Sequence, residues 1–286
     1  MSADPRQRFA ALLQQPDDRI DLVDAALCIA QEAEPDRDLG FCTALLDEIA
    51  ASIAPYLPPE RYPLRWLKVI NEHLFQKWGF QGNTDNYYDP RNSYLPEVLE
   101  RRTGIPITLS LVYWAVAQRL NFPMEGVGMP GHFLLRPQGP DLEIYVDAFH
   151  QGEILFPQDC EARLRSIYGD TAALRSQDLV PVSHRYFIGR MLLNLKVIYI
   201  KTGSLAPALR TVEQLLLLDP QRAQEHRDRG LILYELERWQ EAYPALERYV
   251  QLQETPGVDG RRAQDLPIIR QLLETIRSAL PRESFD

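Results

Sequence analysis

Apolar residues recur at three- and four-residue steps through the N-terminal part of the chain. RFAALL, DLVDAALCIAQEA and FCTALLDEIAASIA keep that step, with Pro35 and Gly40 as punctuation. Such spacing lines one face of an α-helix, so helices are predicted across residues 5–57. PLRWLKVINEHLFQKWGF, residues 63–80, has the same period and stops at Gly79, with His73 as a surface or packing residue. The polar run QGNTDNYYDPRNS, residues 81–93, reads as a loop. Asn92 or Ser93 can cap the next helix, SYLPEVLERR, because either side chain accepts a first-turn N–H. Pro96 suits that turn, where amides lack helical acceptors.

Thr103 and Gly104 break this helix, and Pro106 suits the first position of the next. PITLSLVYWAVAQRL is apolar nearly all round, as a helix at the centre of a domain must be. Asn121, Phe122 and Pro123 end it. The texture then becomes strand-like: MEGVGM, HFLLR, a turn at PQGPD, and EIYVDAF. A central helix followed by a small antiparallel sheet is an α+β arrangement.

From about residue 185 the pattern is wholly helical and repeats at 34 residues. Ala208 recurs as Ala242, Val212 as Leu246, and Tyr199 as Leu233. LAPALRTVEQLLLLDPQ parallels WQEAYPALERYVQLQET, and LPIIRQLLETIRSAL reads as a closing cap. This interval, with small residues at the helix crossing, resembles the tetratricopeptide repeat. The copies are degenerate: Asp219-Pro220 closes the first, Glu254 stands there in the second, and Lys196 faces Gly230 at a small-residue position. Two copies are few for a free-standing solenoid, so they are expected to lean on the preceding domain. The expected organisation is an N-terminal helical segment (1–60), a core (61–180) and helical repeats (185–286).

Composition narrows the partners. With 45% hydrophobic and 25% charged residues, the chain has an ordinary globular balance. A net charge of -9 repels phosphate backbones, so neither nucleic acid nor an anionic membrane is expected to bind. The N-terminus has no apolar core of the kind a secretory signal needs. The uncharged stretch 104–118 is too short to span a bilayer. Cys28, Cys42 and Cys160 are an odd set without CxxC spacing, which suits a reducing cytoplasm. Cys28 and Cys42, amid Ala and Leu, read as core residues.

Candidate chemistry gathers on the two strands. If Arg136 pairs with Glu143, His132 pairs with Asp147, and their Cβ atoms stand about 5 Å apart on one face. The carboxylate would then orient the imidazole as in a base–orienter pair. A structural His–Asp hydrogen bond fits the same spacing, and a one-residue slip would separate the two. His132, Asp147 and His150 have the ligand count of a three-ligand zinc site. Asp147 and His150 should diverge on a strand unless the chain turns at Ala148, so no metal or other cofactor is expected. His184 and His226 show no partner in the sequence.

GIPITLSLVYWAVAQRLNFPMEGVGMPGHFLLR followed by YVDAFHQG resembles the transglutaminase-like (papain-like) core. NSYLPEVLERRTGIPITLSLVYWAVAQRL and PGHFLLR are similar to the SirB-type, invasion-regulator-like variant, often fused to tetratricopeptide repeats. The resemblance covers roughly residues 20–160 and implies a general base at His132 and an orienting acid at Asp147. The nucleophile position falls on Pro106, which has no thiol. Ala148 stands where the variant commonly has proline.

Two readings follow. In one, the chain is a non-catalytic module that binds a protein or peptide through its groove and repeats. In the other, Thr108 or Ser110 replaces the thiol in a hydrolase or amide transferase, with Thr108 favoured by the helix N-terminus. The Thr108 hydroxyl can equally bond its own backbone. Cys160, between Asp159 and Glu161, is a poor nucleophile because neighbouring anions raise a thiol pKa. Tyr87, Tyr88 and Asn92 could border the groove and contact an extended peptide. Alternatively, Asn92 only caps a helix and the tyrosines cover the core rim.

Overall fold

The structure is a computed structural model that describes residues 4–139, 143–254 and 264–280. It divides into two compact units, Met1–Met191 and Leu192–Asp286.

The first unit opens with helices α1 (Pro5–Leu12), α2 (Leu22–Ala33) and α3 (Gly40–Ile53). Asp21 starts α2 by accepting the N–H groups of Val23 and Asp24 at 2.9 and 3.0 Å, which satisfies two first-turn donors. The periodic positions Phe9, Ile29, Leu46 and Ile49 are buried, as are Cys28 and Cys42. Helix α4 (Pro63–Asn71) runs on as a π-helical turn, Glu72–Lys77. That turn carries His73 into the interior. Its Nδ1 lies 2.8 Å from the Val69 carbonyl and so must donate, leaving Nε2 to accept from Lys77 Nζ at 2.9 Å.

Strand β1 (Gln81–Gly82) pairs in parallel with β2 (Thr103–Gly104), and α5 (Leu95–Arg101) lies between them in sequence. Helix α6 (Pro106–Arg119) is the centre of the unit. Ile107, Leu109, Leu111, Val112, Tyr113 and Val116 are all buried, and Trp114 is partly buried, so the helix is enclosed nearly all round. Truncating a side chain such as Leu111 to alanine would cost about 2–5 kcal/mol. Ile105 is extended, at φ -104° and ψ 170°, as a residue before proline is pushed to be.

The main sheet is an antiparallel meander of β3 (Met124–Val127), β4 (Leu134–Pro137), β5 (Tyr145–Asp147) and β6 (Glu153–Leu155). Glu125 lies opposite Arg136, and the two form an ion pair at 2.8 Å. Leu135 lies opposite Val146. This register is two residues away from the expected pairing of Arg136 with Glu143. The pairing of β3 with β4 fixes β4, and β5 begins only at Tyr145, so the connection is longer than a tight turn. The tip of that connection, residues 140–142, lies outside the described residues. His132 therefore precedes β4 instead of facing Asp147 across it. Because the pleat repeats every two residues, a two-residue shift does not exchange the faces. Helix α7 (Pro157–Tyr168) follows, then α8 (His184–Lys201), within which the division between the units falls.

The second unit holds the end of α8 with α9 (Leu205–Leu218), α10 (Ala223–Glu235), α11 (Trp239–Glu254) and α12 (Leu266–Ala279). The positions that repeat at 34 residues, Ala208 and Ala242, Val212 and Leu246, Tyr199 and Leu233, are all buried. At Gly230 an added Cβ would fall 2.5 Å from the Leu246 side chain, so α10 and α11 approach too closely for anything larger. The first copy solves the equivalent position differently. Lys196 is nearly buried, and its ammonium lies 2.7 Å from Glu225 and 2.8 Å from Asp228. Among the described residues, no helix is long and apolar enough to cross a membrane.

Candidate functional site

Asp147 ends β5 and organises everything around it. One carboxylate oxygen, Oδ1, accepts the N–H groups of Phe149 and His150 at 3.1 and 3.2 Å. These bonds wind Ala148–His150 into a 3-10 turn. The turn folds His150 back over the strand end, where its Nδ1 lies 2.8 Å from Asp147 Oδ2. The chain thus turns at Ala148, the condition under which Asp147 and His150 can meet: an aspartate cap replaces extended backbone with a turn.

The turn is held from behind. Gly152 has φ 75°, and its N–H donates to the Asp147 carbonyl at 2.9 Å. A Cβ there would fall 2.3 Å from Asn71 Oδ1, so only glycine fits. Asn71 in turn donates to the Gly152 carbonyl at 2.6 Å and accepts the Tyr113 hydroxyl at 2.9 Å. Through one amide, α4 and α6 thus fix the exit from β5.

His132 reaches the same carboxylate from the other side. Its Nε2 lies 2.8 Å from Asp147 Oδ2. The ring does not aim this nitrogen along the line to the oxygen, so Nε2, fully shielded from solvent, makes no hydrogen bond of good geometry. Phe149 sets its ring at 83° to that of His132, with centroids 6.2 Å apart, and Tyr87 packs edge-on against Phe149.

Asp147 is wholly buried. Burial pushes its pKa up, but the contacts and charges of His132 and His150 outweigh burial and hold it well below the usual carboxylate range. The group is therefore an anion. Arg163 of α7 completes the cluster. Its guanidinium lies 3.7 Å from Asp147 Oδ2, 2.8 and 2.9 Å from the two ring nitrogens of His150, and 2.5 Å from Glu153. His132 Nε2, an Asp147 oxygen and a His150 ring nitrogen all lie within 4.8 Å of one another, a set of donors that could hold a metal ion.

The nucleophile position shows a different picture. Pro106 is the buried first residue of α6. The Thr108 hydroxyl donates to the Asn92 carbonyl at 2.7 Å and accepts the Ile105 N–H at 3.1 Å, so it is committed to the helix start. Ser110 is buried, and its hydroxyl has no hydrogen-bond partner among the described residues. Cys160 is buried, and its thiol is pushed up to about 12 by burial and by Asp159 and Asp147. Of the two acidic neighbours expected to act, Asp159 does so and Glu161 does not figure; burial is the larger cause.

Asn92 is buried, and its amide ties Asn83, the Asn86 carbonyl and the Tyr87 carbonyl into one loop. Tyr88, about half exposed, stands on that loop with its ring against Tyr87. Sequence reasoning missed Arg163, Glu153 and Phe149, which no spacing relates to His132. It also missed the partners of two histidines. His184 Nδ1 lies 2.8 Å from the Ile20 carbonyl, and the His184 backbone N–H donates to Asp17 at 2.8 Å. His226 Nε2 lies 2.9 Å from the Pro220 carbonyl.

A buried central helix and a following antiparallel sheet that bears a His–Asp pair, with the turn after Asp147 packed on that helix, define the transglutaminase-like class. The model of the transglutaminase-like superfamily matches residues 42–193, and a tetratricopeptide-repeat model matches 195–274. The chain belongs to the UPF0162, or SirB-like, family of that superfamily. It is 37% identical over 269 residues to a UPF0162 protein of Xylella fastidiosa strain Temecula1, covering 91% of this chain and 94% of that one. A UPF0162 protein of Vibrio cholerae is 31% identical over 221 residues, covering 77% and 82%. F-box only protein 21 of Mus musculus is 35% identical over 181 residues, which cover 53% of this chain and 29% of that protein. No solved structure matches.

Proposed function

We propose that this protein is a non-catalytic binding or regulatory module of the cytoplasm, engaging a protein or peptide through the groove of its transglutaminase-like unit and through its repeats. The observation that carries this reading is Pro106 at the nucleophile position. Its ring has neither a thiol nor a side-chain proton, so it forms no acyl intermediate. The site-to-groove residues would then serve recognition: Tyr88 and the loop held by Asn92 contact an extended segment, and His132 with Asp147 maintains the groove wall. Tetratricopeptide repeats generally mediate protein–protein interaction, which suits the second unit. The alternative, acyl transfer by Thr108 or Ser110 with His132, has less support. The Thr108 hydroxyl already donates to the Asn92 carbonyl, and an attacking hydroxyl must lie about 2.6–3.2 Å from its base, or one water away.

The test presents the full chain with peptide, ester and glutamine substrates and follows turnover. None above the buffer rate is expected, whereas turnover that His132→Ala abolishes would establish the acyl-transfer reading instead. In parallel, a photo-crosslinker at position 88 should capture the same peptide partner that the full chain retains. Retention that bypasses both the loop and the repeats would overturn the module reading.

A further inference from the structure

The cluster at the end of β5 has donors that the non-catalytic reading does not use. We propose that His132 Nε2, Asp147 Oδ2 and His150 Nδ1 form a binding site for one divalent cation of the zinc class.

Ligand chemistry supports this first. Two imidazoles and one carboxylate are the donor set of three-ligand zinc sites, in which metal–donor distances are about 2.0–2.2 Å. Here the two ring nitrogens each lie 2.8 Å from the same carboxylate oxygen, and all the donor atoms lie within 4.8 Å of one another.

The aim of His132 supports it independently. This side chain is 95% buried, being 5% exposed, yet its Nε2 has no hydrogen-bond partner. A buried ring nitrogen without a partner costs about 1–3 kcal/mol. If His132 served only to orient Asp147, Nε2 should point along the 2.8 Å line to the oxygen. At 2.8 Å it still fails the geometry of a hydrogen bond to that oxygen, as is expected when nitrogen and oxygen share an ion. For two donors 2.8 Å apart and about 2.1 Å from a common ion, the donor direction falls roughly 50° off the line joining them.

The surroundings supply what such a site needs. Asp147 Oδ1 is fixed by the N–H groups of Phe149 and His150, which leaves Oδ2 for the ion and orients it. The Asn71 amide holds the turn that brings His150 into place. His150 is partly exposed, 41% at its side chain, and gives the ion access from solvent. Arg163 opposes a cation: its guanidinium faces Asp147 and His150, and its second arm holds Glu153. A bound cation would compete with it, so Arg163 should weaken the site.

The experiment is equilibrium dialysis of the full, chelator-treated chain against Zn²⁺, with metal and protein quantified, and circular dichroism to check folding. One equivalent should bind saturably. His150→Ala removes an exposed ligand without opening the core, and should weaken binding at least about 10–100-fold. Arg163→Met should tighten it, a direction that loss of a merely structural residue would not give. His226→Ala, on the repeats, should leave it unchanged. Co²⁺ in place of Zn²⁺ should show the visible absorption of a low-symmetry site, lost in His150→Ala. A folded chain without saturable binding would overturn the proposal, as would binding that His150→Ala leaves intact.

Discussion

Replacing His132 by alanine tests whether the buried carboxylate depends on its partners as the geometry implies. Asp147 is fully buried and ionised, and His132 supplies one of two imidazole contacts at 2.8 Å. Removing one member of a buried ion pair costs about 3–5 kcal/mol when it leaves the other uncompensated. Here His150 Nδ1, the N–H groups of Phe149 and His150 and, at 3.7 Å, the Arg163 guanidinium remain. The expected loss is therefore lower, about 2–4 kcal/mol, including the cavity left beside Phe149. For a unit of this size that corresponds to a fall in Tm of roughly 5–15 °C. Tryptophan fluorescence in urea measures it, since Trp66, Trp78 and Trp114 lie in the first unit and Trp239 in the second. The pH dependence has a definite sign. Asp147 has a folded pKa below its unfolded value of about 3.9, so its contribution is complete above that value and disappears as pH falls through the folded pKa. The part of the gap that comes from the Asp147 carboxylate should narrow below about pH 4. A gap under about 1 kcal/mol at pH 6, or one that widens in acid, would refute the reasoning.

Three further outcomes follow from the packing. Gly152→Ala forces a side chain onto Asn71 Oδ1 at a positive φ, and should cost about 2–4 kcal/mol by denaturant titration. Pairing it with Asn71→Ala should recover part of that loss, because the clash and the turn share one amide. Lys196→Ala leaves Glu225, 1% exposed, without its ammonium, and should destabilise the second unit by about 3–5 kcal/mol, read from Trp239 fluorescence. Cys160, with its thiol pushed up to about 12, should resist alkylation by iodoacetamide at pH 8 in the native protein and react only after unfolding.

Much of the architecture was visible in the residue pattern, because it follows from periodicity. The all-round apolar run after Pro106 could only be an interior helix, and the 34-residue interval marked positions that are buried in both copies. The site was half visible. His132 and Asp147 could be singled out, but their approach could not be drawn, because strand register depends on where β5 begins and no local signal sets that. The turn at Ala148–His150 had a readable sign, an aspartate followed two and three residues later by the amides it caps. Its effect on His150 was not readable, since the carboxylate also had a strand role to play. Arg163 arrives from a helix whose placement depends on the whole sheet, so nothing near His132 announces it. Lys196 looked like a flaw in the repeat; it is an ammonium buried against two acids that lie 29 and 32 residues further on.

The proline that opens α6 has a second consequence. A backbone amide at the head of a helix commonly steadies the charged oxygen that forms when an acyl group is attacked. An imino nitrogen carries no hydrogen, so position 106 lacks this donor as well as a sulfur. A thiol brought in from elsewhere in the chain would still find no N–H at that position to stabilise a tetrahedral adduct. Under the non-catalytic reading proposed above, one substitution at position 106, to cysteine, would supply both groups together.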